Sequence, residues 1–156
     1  MRIVQAGLFS VLASAALVSS AIAQSEFSPA ADPAEIYEFD VGTEDAVDDE
    51  DGKQALVALK ESQSTAQEIQ KTIAVKSFRF LVLDPVMAEK VSPEVSKRRD
   101  ELVDLRAAVQ ANAIFYTAIQ KENIEPEDIA GIVLADTEDG LPSEKQVTIY
   151  VIPTAN

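Results

Sequence analysis

The chain has 156 residues, with 27 acidic residues against 13 basic ones, a net charge of −14, and neither histidine nor cysteine. A field this negative disfavours binding to nucleic acid or anionic lipid. Without imidazole or thiol groups, the usual general base, thiolate nucleophiles, redox pairs and thiolate zinc sites are excluded. The length fits one domain, whose stability must come from a packed core rather than disulfides.

Residues 1–23 read as a cleavable secretory signal peptide. Met1 and Arg2 supply positive charge, and Ile3 to Val18 is mostly apolar. Ala21 and Ala23 form the small-x-small pattern of a cleavage site, so the cut is expected after Ala23. The expected destination is the periplasm or the extracellular space. Cleavage removes Arg2 and no other charged side chain, so the mature chain is more acidic still. No later stretch is long and apolar enough to cross a membrane.

Residues 24–52 read as an acidic, disordered leader. Ser25 to Asp51 holds eleven acidic residues and no basic one. Like-charge repulsion and few apolar groups oppose its collapse. Within it, Tyr37, Phe39 and Val41 alternate with acids, the pattern of a short strand or a docking segment.

Residues 53–156 read as one α+β domain. Ala55, Leu59, Ser62, Ala66, Ile69 and Ile73 recur at helical spacing, with a weak point between Ser62 and Thr65. Val75 to Leu83 then alternates as a strand, and Asp84-Pro85 is expected to end it. Ser92-Pro93 is expected to start the next helix. Its apolar stripe runs through Val95, Leu102, Leu105, Val109, Tyr116 and Ile119. Asn112 falls on that stripe. Asparagine is a poor interior residue and a good cap, so a break is expected there, with a second helix over Ala113 to Lys121. Asn123 and Pro126 stop the helical region. Ile129 to Ala135 and Gln146 to Ile152 form a β-hairpin across a turn-rich loop. The expected domain has a sheet of about three strands packed with two or three helices.

Leu81, Leu83, Val133, Tyr150 and Ile152 make the second sheet face partly apolar. Burial by the first helix is the preferred explanation, and cover by another chain is the alternative. The candidate partner-binding residues are therefore Tyr37, Phe39, Leu81, Leu83 and Tyr150.

Catalytic motifs are absent. No Ser-x-x-Lys pattern, nucleophile elbow or phosphate loop occurs, so no catalytic residue and no cofactor are expected. Carboxylate chemistry of the glycosidase type is all that composition leaves open. Calcium would need oxygen ligands only, and Asp48, Asp49 and Asp51 are the candidates. An EF-hand register with Gly52 at position six fails, because Val47 and Ala58 occupy the ligand positions one and twelve. The reading that best fits is an exported, non-catalytic interaction or accessory protein. Its partner would be another envelope or secreted protein or a second copy. A calcium or small-ligand binder comes second, and a carboxylate-dependent hydrolase third.

Overall fold

Val75 to Leu83 combines β-branched and aromatic residues, and it forms the strand around which the sheet is built. The computed structural model describes residues 39–46, 49–137 and 143–153. The expected signal peptide, Tyr37 and Asp48 lie outside the described residues. The strands are β1 (Asp40–Ala46), β2 (Ala74–Leu83), β3 (Ile129–Asp136) and β4 (Glu144–Val151). The helices are α1 (Asp49–Lys60), α2 (Ser62–Ile69), α3 (Pro85–Lys97), α4 (Arg99–Ala111) and α5 (Ala113–Lys121). The class is α+β. The sheet order is β1-β2-β4-β3, with β1 and β4 parallel to β2 and β3 antiparallel to β4. Among the described residues no helix is long and apolar enough to cross a membrane.

Side chains alternate across this sheet. Phe78, Phe80, Ile149 and Ile132 lie on one face, and Leu81, Tyr150 and Gly131 on the other. On the first face the Phe115 ring of α5 meets Phe78 edge-on at 5.2 Å, and Phe78 stacks on Phe80 at 6.3 Å. Full burial of each ring contributes about 1.5–3 kcal/mol. On the second face lies α1. A Cβ added at Gly131 would sit 2.9 Å from the Ala58 Cβ and 3.1 Å from the Leu59 nitrogen, so only glycine lets helix and strand approach this closely. The Tyr150 hydroxyl donates to Gln54 Oε1 at 3.2 Å. The first helix thus covers the second apolar face from within the chain.

The fold class is as expected, and three finer expectations are corrected. The first is the extent of the leader: the sheet's fourth strand comes from the acidic segment, where the alternation through Val41 suggested a short strand. β1 pairs with β2 from Asp40 to Ala46. Backbone pairing does not depend on side-chain polarity, and β1 is an edge strand whose Asp40, Glu44 and Asp45 point into water. Arg79 also holds Glu44, donating from Nε at 3.1 Å and Nη2 at 2.8 Å. Just before β1, Phe39 packs edge-on against Phe78 at 5.0 Å with Lys121 Nζ 4.4 Å from its ring centre. The folded domain therefore includes Phe39 onward. Asp49, Glu50 and Asp51, counted with the leader, are the first turn of α1. Negative charge is favourable there, beside the positive end of the helix dipole.

The second correction concerns a helix start. Asp84-Pro85 ends β2 but also opens α3, with Asp84 as N-cap accepting from the Met87 N–H at 2.7 Å and Pro85 in the first turn. Ser92-Pro93 offers the same cap chemistry, yet Pro93 lies inside α3. The helix ends at Lys97 instead, and Arg98 marks the junction with α4. Arg98 pairs with Glu101 at 2.8 Å, and Lys97 pairs with Glu94.

The third is Tyr116, expected on the buried stripe and found on the surface. The expected break at Asn112 is present, and a break between α1 and α2 falls at Glu61, one residue before the weak stretch.

Candidate functional site

α4 stops where Asn112 leaves the helical conformation, and Asn112 caps α5 by accepting from the Ile114 N–H at 3.0 Å. This interruption resets the helical phase. Phe115, Ala118 and Ile119 turn inward and are buried, whereas Tyr116 and Gln120 turn out. A 3–4 spacing counted through Asn112 places Tyr116 on the buried stripe. Counting from the new cap places it on the surface, where it keeps 40% of its area exposed.

The far end of α5 is also set by sequence. Asn123 adopts φ 54°, a left-handed conformation that asparagine tolerates better than most residues. Its N–H donates to the Gln120 carbonyl at 3.1 Å, and the Ile124 N–H donates to the Ile119 carbonyl at 2.9 Å. These two bonds are a Schellman stop. The chain then folds back alongside α5, and Pro126 leads into the short 3₁₀ turn before β3.

Between α4, α5 and this returning segment lies a groove of about 850 Å³. Gln110 borders it from α4, Tyr116 and Gln120 from α5, and Asn123, Glu125 and Glu127 from the returning segment. Ile119 and Ile124 supply apolar lining. Among the described residues no basic side chain lines the groove. Beside it, Arg99 and Arg106 border a neighbouring hollow that shares Gln110 and Glu127. Arg106 is half-buried and donates to the Ile129 carbonyl from Nε at 3.2 Å and Nη2 at 2.9 Å. Burial pulls the pKa of Arg106 down, while Glu127 and Asp128 act to raise it.

Four polar side chains of the groove are uncommitted. Among the described residues, the side chains of Gln110, Tyr116, Gln120 and Asn123 have no hydrogen-bond partner. The contrast is with ion pairs elsewhere: Glu44 with Arg79, Asp49 with Lys90, and Lys145 with both Glu68 and Asp136.

The sequence-derived candidates do not converge. Leu81, Leu83 and Tyr150 are 1%, 3% and 1% exposed, so they belong to the core and offer no surface to a partner. Phe39 is half-buried under Lys121 against Phe78. Tyr37 lies outside the described residues. Asp49 is held by Lys90 at 2.9 Å, and this hydrogen bond keeps its carboxyl below the usual range. Asp51 sits in the first turn of α1, and Asp48 lies outside the described residues. Among the described residues no three acidic side chains are grouped so as to hold a metal ion. The groove residues were missed as a site. Their signal in the sequence is the Tyr116 and Gln120 pair, four apart on one helix face, followed by the helix stop at Asn123.

Comparison with family models, with curated proteins and with solved structures gives no match.

Proposed function

We propose that this protein is an exported, non-catalytic binding protein that engages its ligand or partner through the groove between α4 and α5. One observation carries this reading: Gln110, Tyr116, Gln120 and Asn123 face a common groove with their hydrogen-bonding capacity unspent. A polar group satisfied by water alone costs nothing in the free protein and gains when a complementary ligand replaces that water. The non-catalytic part of the proposal rests on composition, since the chain has neither histidine nor cysteine. Export rests on residues 1–23.

The second apolar sheet face no longer supports self-association, because α1 covers it. The acidic segment acts at least partly as structure, since β1 and the first turn of α1 come from it.

The test is co-purification of the tagged mature protein from the envelope and culture medium, followed by mass spectrometry and glycan analysis. The Tyr116→Ala, Gln120→Ala double variant is expected to lose the species that the wild type retains. Equal recovery by both would reject the groove as the working surface. Amino-terminal sequencing of the exported protein is expected to begin at Gln24.

A further inference from the structure

We propose that the groove between α4 and α5 binds a neutral oligosaccharide, with Tyr116 as the stacking ring and Gln110, Gln120 and Asn123 as the groups that read its hydroxyls. The inference rests on the groove being the binding site and names the ligand that its chemistry fits.

A sugar ring offers an apolar C–H face and a rim of hydroxyls that both donate and accept. Its complement is an exposed aromatic ring surrounded by groups that also do both. A primary amide side chain has two donors and an acceptor, and a tyrosine adds a hydroxyl to its ring. The groove presents three such amides and one such ring, all without partners among the described residues. Glu125 and Glu127 add carboxylate acceptors at the rim.

The same lining argues against other ligand classes. Among the described residues an anionic ligand would meet two carboxylates in the groove and no lysine or arginine, with Arg99 and Arg106 only in the neighbouring hollow, on a chain of net charge −14. A peptide strand is ordinarily read by the backbone of a sheet edge, with apolar pockets for alternate side chains. This groove is made of helical side chains and a turn, and it uses no strand. Its volume of about 850 Å³ lies within the range of small-ligand sites. The Schellman bonds fix the backbone at Asn123, so the returning segment is ordered before any ligand arrives.

The test is calorimetric titration of the mature protein with a panel of neutral oligosaccharides. The panel spans hexose and N-acetylhexosamine chains in α and β linkage, with tetralysine and tetraalanine as the competing class. At least one oligosaccharide is expected to saturate the protein. Tyr116→Ala is expected to weaken that binding about fivefold to tenfold, and Tyr116→Phe to preserve most of it. Gln120→Ala is expected to weaken it about fivefold. Circular dichroism checks that each variant is folded, and both positions are on the surface. If no oligosaccharide saturates the protein at about 10 mM, the inference is overturned. Binding of a peptide alone, lost in Tyr116→Ala, would overturn the sugar and keep the groove. Sugar binding that Tyr116→Ala and Gln120→Ala leave unchanged would overturn both.

Discussion

The side-chain amide of Asn112 donates to the carbonyl of Ile69 at 2.8 Å, and so joins the end of α2 to the break between α4 and α5. The same nitrogen donates to the Thr72 carbonyl at 3.0 Å, while the side-chain oxygen caps α5. One residue therefore ends a helix, starts another and holds a third. Because the break sets the phase of α5, Asn112 also decides that Tyr116 faces the groove and Phe115 the core.

Asn112→Ala is expected to destabilise the protein by about 2–3 kcal/mol, adding a lost cap to two stranded carbonyls. Asn112→Ser retains a cap oxygen and is expected to cost about 1–2 kcal/mol. Asn112→Asp keeps the cap but faces two carbonyls with a group that only accepts, so it should be at least as damaging as Ser. Midpoints of urea unfolding give the order.

Gly131→Ala tests the contact between α1 and β3. The new methyl group would meet the Ala58 Cβ at 2.9 Å and helix backbone at 3.1 Å, neither of which is the end of a flexible side chain. A loss of about 1–3 kcal/mol is expected. Thermal unfolding measures it, and an unchanged midpoint would mean that α1 does not rest on Gly131.

Stability is expected to fall at alkaline pH, in part through Tyr150. Burial holds its phenol above the ordinary 10.0. The unfolded chain then loses the proton first, so this contribution is complete below pH 10 and is lost as pH rises through the folded-state value. Lys145 acts in the same direction. Its hydrogen bonds to Asp136 and Glu68 hold its ammonium above the ordinary 10.5, and that stabilisation also fades as the group deprotonates. Tyr150→Phe should remove the phenol's share of the decline and keep that of Lys145. Urea unfolding between pH 8 and 11 separates the two.

Phe39→Ala is expected to cost about 2 kcal/mol, because a half-buried ring loses an edge-on contact with Phe78 and the Lys121 cation. A neutral result in urea unfolding would mean that Phe39 does not help to hold the domain together.

Much of the fold was legible because the signals were local. The hairpin of β3 and β4 follows from two β-branched runs around turn formers. The break at Asn112 follows from the poor fit of asparagine to a buried helical stripe. The stop after α5 follows from Asn123 and Pro126. The misreadings came where two sites shared one chemistry or where pairing was non-local. Asp84-Pro85 and Ser92-Pro93 carry equal cap signals, and packing of α3 beside α1, with Lys90 on Asp49, accompanies the first. β1 was read as leader because its charge opposes collapse. A neighbouring strand supplies its hydrogen bonds, and that neighbour starts 28 residues further on, at Ala74.

The sequence by itself determined that this chain is acidic and lacks imidazole and thiol chemistry, and it is the ground on which we propose export. It also determined the class of the domain and most of its element boundaries, because caps, turns and periodicity act over a few residues. Only the tertiary structure decided that α1 covers the second sheet face, and that Leu81, Leu83 and Tyr150 are core. It alone brought Gln110 together with the segment after Asn123. Those outcomes depend on which surfaces meet, and side-chain packing between distant segments leaves no periodic mark in the chain.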